Sequence, residues 1–458
     1  MKIKSKMKIE KDSLGSIKVP VNKYWGAQTQ RALNNFKIGK QKMPMEIIRA
    51  LAIVKKAATL TNNKLGILSS EKCELICKVC DEIYNNKLDE HFPLVIWQAG
   101  SGTQTNMNIN EVIANRAKVL NKKITLHPND DVNQSQSSND VFSSAMYISA
   151  YKILKEKTIP NIELLINTFN NKSREFKNII KIGRTHLMDA IPLSLGQEFS
   201  GYAFQLKKVL NNLKYISKDL LELPLGGTAV GTGLNAPKTF DKQAVQNVSK
   251  LTGCSFKVTP NKFALLTSHD TIAGTSEMLK TISTILIKIA NDIRLYASGP
   301  KSGIGEILLP DNEPGSSIMP GKVNPTQCEM LIMVCSQIIG NNLAITLGNI
   351  NGNFQLNTSK PLMIYNLLES AQLLSDSCRS FNDNCVVGIK ANIPVIKKNL
   401  ENSLSLVTML NPHVGYDKAA KIARNAYKKN ITLKESAVEL GLVKSEDFDK
   451  WVDPKKNF

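Results

Sequence analysis

Between Phe199 and Leu220 the apolar residues Phe199, Tyr202, Leu206, Val209, Leu213, Ile216 and Leu220 recur at alternating steps of three and four. That spacing draws one stripe along an α-helix of over twenty residues, more than ~30 Å long. A stripe of that length is the seam of a helix packed lengthwise on other long helices. Residues 267–297 and 326–347 read the same way, and 141–176 is a long helical region that Pro160 breaks or kinks. Strand signals are few, and Gly and Pro cluster between helices rather than at hairpins. The expected fold class is mainly α, built on a central bundle of long helices. A chain of 458 residues exceeds what one core usually organises. Three domains are expected: a mixed, mostly helical one over 1–137, the long-helix bundle over 138–392, and a small helical one over 393–458.

Charge bears on partners. The formal net charge is +20, yet lysine is spread along the chain and no run of five basic residues occurs. With aromatics at 6% and no recognisable nucleic-acid motif, the charge reads as diffuse surface charge, and no nucleic-acid partner is expected. No apolar run reaches the ~18 residues of a membrane span. The start, MKIKSKMKIEKDS, has no apolar core or cleavage pattern of a targeting signal. A cytoplasmic protein without a membrane partner is therefore expected. Cys73, Cys77 and Cys80 have a spacing that elsewhere binds an iron–sulfur cluster, but the same spacing is one face of a helix. Ile76, Ile83 and Tyr84 extend that stripe, and Ser69 or Ser70 can cap it, so buried thiols are favoured.

Four polar stretches lack any hydrophobic period: residues 100–106, 134–140, 183–189 and 315–325. They offer hydroxyls, amides and helix-start N–H groups in compact space, which suits carboxylate or phosphate oxygens. Lys322 would supply a counter-charge, and Arg184 is either a second cation or a structural pair. Each stretch has a plainer reading. SQSSND is an ordinary N-cap region, His186 a structural histidine, and Glu329 a first-turn carboxylate. GGTAVGTG at 226–233 lacks the Lys-Ser/Thr ending of a nucleotide loop and reads as a tight connection.

Taken together the stretches are far more specific. GSSIMPGKVNP, with GRTHLMDAIPLSLGQE, WQAGSGTQTNMNINEV and HPNDDVNQSQSSNDVF, resembles the shared segments of the fumarase/aspartase lyase superfamily from about Glu10 to Trp451. Within it the chain looks most like the iron-independent class II fumarases. Gly321 stands before Lys322 where aspartases typically carry Ala, the loop continues as Thr326-Gln327-Cys328-Glu329, and Asp130 is fumarase-like.

The resemblance implies reversible anti addition of water to fumarate, giving (S)-malate, with aspartate ammonia-lyase as the alternative. It implies a three-domain aspartase/fumarase-like fold, a homotetramer with a shared helical core and sites built from several subunits, and no metal or cofactor. It also implies roles. Ser316 would act as base. Ser317, Lys322, Val323 and Asn324 would hold the carboxylate that becomes an aci-acid. Ser101, Gly102, Thr103, Ser137, Ser138, Asn139 and Thr185 would hold substrate oxygens. His186, oriented by Glu329, would handle the departing water. His127, Pro128, Asn129 and Asp130 match a secondary dicarboxylate site, although the arginine that relatives often carry ahead of it is absent and Lys122 or Lys123 stands nearby.

Overall fold

Apolar periodicity becomes helix. In the computed structural model, which describes residues 6–453, the seam forms helix Leu195–Ile216 and the 3-10 turn Ser217–Leu221. Phe199, Tyr202, Leu206, Leu213 and Leu220 are buried, while Val209 and Ile216 are half-covered. The region from 141 becomes helix Ser138–Ile153, a widened π turn at Leu154–Thr158, and helix Ile159–Glu175. The π turn falls just before Pro160, whose missing N–H and ring disfavour a regular turn there. Thr158 Oγ1 donates to the Ala371 carbonyl at 3.0 Å and steadies the distortion.

The other long helices are Asp270–Tyr296, Thr326–Asn349 and Lys360–Asn384. The first begins three residues later than its pattern predicts. Ser268 is extended (φ −136, ψ 151) and ends the short helix Lys262–Thr267, and the His269 N–H is taken by the Asn349 side chain at 2.9 Å. Every sheet among the described residues has only two strands.

Two compact units make up the chain, with boundaries that fall inside long helices. Among the described residues, one is drawn from 6–159, 211–283 and 336–374, the other from 160–210, 284–335 and 375–453. In the first unit, helix Met45–Lys64 is buried on nearly all sides and packs on Ser70–Tyr84, Ser138–Ile153 and Phe240–Thr252. Helix Ser70–Tyr84 carries the three spaced cysteines and is capped by Ser69, whose Oγ accepts the Lys72 N–H at 3.4 Å. Cys73, Ile76, Cys80 and Ile83 point inward, and Cys77 is half-buried. Tyr84, expected on the same stripe, turns outward at 41% exposure. Burial pushes the Cys77 thiol up to about 12, which keeps it protonated.

In the second unit Phe169, Phe176, Phe199 and Tyr202 form an aromatic cluster with edge-on contacts such as Phe176–Phe199 at 5.3 Å. Its C-terminal part has a small core of its own, made by Leu406, Leu410, Ile422, Ala426, Leu433, Ala437, Val443 and Phe448.

Helix Thr326–Asn349 is apolar on most sides, and only 33% of its most apolar window is buried. Met333, Leu343 and Leu347 are 67%, 60% and 52% exposed. Its sequence has no uninterrupted apolar run, yet by length and composition it is apolar enough to cross a membrane.

Candidate active site

The GSSIMPGKVNP loop is tied to itself. The Gly315 N–H donates to the Lys322 carbonyl at 2.8 Å, and Asn324 Nδ2 donates to the Gly315 carbonyl at 2.6 Å. Gly315 is required by that closure, because a Cβ there would stand 2.5 Å from the Lys322 carbonyl oxygen. Inside the loop, Ser316 Oγ accepts two backbone N–H bonds, from Ile318 at 3.3 Å and Met319 at 3.0 Å. Such donors favour a negatively charged oxygen. Ser317, Lys322 and Val323 face solvent. Among the described residues the Lys322 ammonium has no carboxylate partner. Helix Thr326–Asn349 starts directly after, and Glu329 stands exposed in its first turn.

His186 sits at the tip of a hairpin. Strands Ile180–Thr185 and Met188–Ser194 pair antiparallel with Thr185 opposite Met188, leaving His186 and Leu187 as a two-residue turn. Both have positive φ, 57 and 61. A turn of this kind is normally built from Asn and Gly. Two ordinary side chains held there mark backbone strain, which concentrates at functional sites. Thr185 and His186 are exposed. Neither the His186 ring nor the Glu329 carboxylate has a polar partner within the described chain, so one chain alone does not bring this expected pair together.

Arg184 is a structural cation. Its guanidinium grips the fully buried Glu306 through two bonds, at 2.9 and 2.6 Å, while Lys181 lies 3.3 Å away and Asn399 Nδ2 donates at 3.1 Å. Burial works against the Glu306 carboxylate, but Arg184 and Lys181 outweigh it, and its pKa falls below the ordinary value.

The first unit holds the other polar stretches. Ser101 and Thr103 hydroxyls bond at 2.8 Å where helix Thr103–Leu120 begins. Gly102 there has φ +78, and a Cβ would lie 2.4 Å from the Phe142 ring. Ser137 caps helix Ser138–Ile153 in a reciprocal box with Asp140. Ser138 Oγ accepts from Asn106 Nδ2 at 2.9 Å, and Asn139 Nδ2 donates to the Ala229 carbonyl at 2.8 Å. Thr103, Asn133, Ser137, Ser138 and Thr228 line one cavity of about 450 Å³. Thus two sequence stretches meet, joined by the GGTAVGTG turn, whose Gly226 and Thr228 N–H groups bind the Asp140 carboxylate rather than any phosphate.

His127, Pro128 and Asn129 line a neighbouring cavity of about 640 Å³. His127 Nδ1 accepts N–H bonds from Asn129 and Asp130 at 3.3 and 3.1 Å. Glu10, Asp12 and Glu111 line the same cavity, with Lys11 the one lysine among its walls. Sequence reading missed the buried charges Lys55, Asp140 and Lys360 behind the first cavity. No motif marks a lone lysine, and only the fold gathers them.

The family described as Lyase matches residues 15–340, and the one described as Fumarase C C-terminus matches 406–456. Over 454 residues the chain is 59% identical to the class II fumarate hydratase of Haemophilus influenzae, covering 98% of each. The chain belongs to the class II fumarate hydratase family. The Bacillus subtilis member is 52% identical over 452 residues, again covering 98% of both chains. Among solved structures, the class II fumarase of Schistosoma mansoni superposes with a TM-score of 0.95 at 45% identity, covering 98% of this chain and 99% of that one.

Proposed function

We propose that this protein catalyses the reversible hydration of fumarate to (S)-malate. The observation that carries the reading is the Ser316 hydroxyl, held by two backbone N–H donors in a loop whose Lys322 has no carboxylate partner. In the dehydration direction, Ser316 Oγ, as alkoxide, takes the proton from the carbon beside a carboxylate. That carbon acid is very weak, and the electron pair passes into the carboxylate as a dianionic aci-acid. Ser317, Lys322, Val323 and Asn324 would receive that charge, since preorganised donors act where charge develops. The carbon–oxygen bond on the adjacent carbon then breaks, His186 protonates the leaving hydroxyl, and water departs as the double bond forms. Glu329 would raise the basicity of His186 and orient it.

Ser101, Gly102, Thr103, Ser137, Ser138, Asn139 and Thr185 would hold the remaining substrate oxygens. The pairing of His186 with Glu329 then requires a second subunit, as does cover for Met333, Leu343 and Leu347. Both requirements support a homotetramer around helix Thr326–Asn349, with sites shared between subunits. A cytoplasmic location and a division near residues 137 and 392 belong to the same reading, the separate small core of the C-terminal segment supporting the second boundary. A secondary dicarboxylate site at His127, Pro128, Asn129 and Asp130 has less support, because Glu10, Asp12 and Glu111 oppose an anion there.

Aspartate ammonia-lyase is not favoured, since the relatives compared are named fumarate hydratases. Incubation with malate and with aspartate, followed by fumarate absorbance, separates the two. Fumarate from malate alone supports the reading, and fumarate from aspartate alone overturns it.

A further inference from the structure

Behind the 450 Å³ cavity lie three fully buried charged groups, Asp140, Lys55 and Lys360. Asp140 accepts the N–H groups of Ser137 at 2.9 Å, Gly226 at 2.9 Å and Thr228 at 3.0 Å. It fastens the start of helix Ser138–Ile153, but it also sets a buried negative charge where an anion has to dock. Two lysines answer it. Lys55 Nζ donates to Asn133 Oδ1 and Gln136 Oε1 at 2.8 and 3.0 Å.

Lys360 does more. Its backbone N–H donates to the Gly100 carbonyl at 3.1 Å, and its ammonium donates to the Asn139 carbonyl and to Ser143 Oγ, both at 3.3 Å. One residue therefore ties together the two polar stretches that line the cavity. His269, buried with both ring nitrogens unpartnered, is driven neutral by burial and by the Lys360 charge, down to about 3. Tyr147 and Cys80, the other titratable groups nearby, are raised by burial and also stay neutral. Burial draws Lys55 down to about 7 and lifts Asp140 to about 6, so below neutral pH, with both lysines charged, the cluster carries a net positive charge.

We infer that Lys360 is a positioning residue for the substrate dicarboxylate. Its ammonium holds Asn139 and Ser143 in place and offsets Asp140 beneath the bound anion. The inference rests on the reading that Ser137, Ser138 and Asn139 contact substrate. Burial draws the Lys360 ammonium down to about 7, opposed by Asp140. Its charge, and the affinity it supports, therefore fade as pH rises through neutrality.

The test is Lys360→Met in the full-length enzyme, assayed with fumarate and malate across pH. The expected result is a KM about tenfold higher for both substrates with kcat nearly retained, the pattern of lost uniform binding. The rise of KM above neutral pH, present in the parent, should be weaker in the variant, where Lys55, also drawn down to about 7 by burial, is the remaining lysine of the cluster that loses its charge there. Ser143→Ala, which keeps the charge but removes one partner, should raise KM by a smaller factor and serves if Lys360→Met does not fold. An unchanged KM and pH profile in folded Lys360→Met, or an unchanged KM in Ser143→Ala where only that variant folds, overturns the inference. Ser138→Ala separates the two levels: if it raises KM while Lys360→Met does not, only the Lys360 role fails. If neither moves KM, the assignment of the segment to substrate fails as well.

Discussion

Ser316 and Arg184 show how the same kind of polar motif resolves into different work. Ser316 Oγ receives two backbone N–H donors, which on the proposed role prepare its oxygen for charge. Ser316→Ala should lower kcat by ~10²–10⁴ with little change in KM or thermal stability, as steady-state kinetics and thermal unfolding would check. Arg184 is spent on Glu306. Arg184→Met should cost about 3 kcal/mol, at the low end for a broken buried pair because Lys181 remains. The sign with pH follows from the lowered Glu306 pKa. Its stabilisation is present above the ordinary carboxylate value and is lost as pH falls through the lowered folded value. The gap in unfolding midpoint between Arg184→Met and the parent should therefore narrow as pH falls from about 6 to about 3, because only the parent has that stabilisation to lose. The sequence left Arg184 open between cation site and structural pair, because its partner lies 122 residues away. Lys360 was not legible at all, since its meaning comes from Gly100, Asn139 and Ser143 arriving around it.

At the level of elements, periodicity carried far. The stripe from Phe199 to Leu220 folded as its spacing requires, because packing on a long seam rewards each residue for the same face. Ends and turns were harder to read. Helix Asp270–Tyr296 starts late because a side chain at position 349 takes the His269 N–H, a contact no local pattern encodes. The His186–Leu187 turn was legible as chemistry but not as strain, since its positive φ values contradict the local preference of both residues. Leu187→Gly should change stability by less than about 0.5 kcal/mol, relief of strain offsetting unfolded-chain entropy, while Leu187→Val should cost more than about 1 kcal/mol. On the proposed role, Leu187→Gly should nonetheless lower kcat, because the freed turn no longer fixes the imidazole. Thermal unfolding beside initial rates distinguishes the two effects.

For the molecule as a whole, the resemblance implied a helical core shared between chains, and the exposed side of helix Thr326–Asn349 is where the proposed assembly would be covered. If the proposed tetramer holds, Leu343→Asp should yield smaller species than the parent in light scattering, with activity lost although each chain keeps its helical content. The same helix carries Glu329 in its first turn, so in the proposed function catalysis and assembly would draw on one rod. Its bare face makes concentration a condition of function: on that reading, activity per chain declines on dilution as subunits separate, and a newly made chain stays silent until it meets its copies.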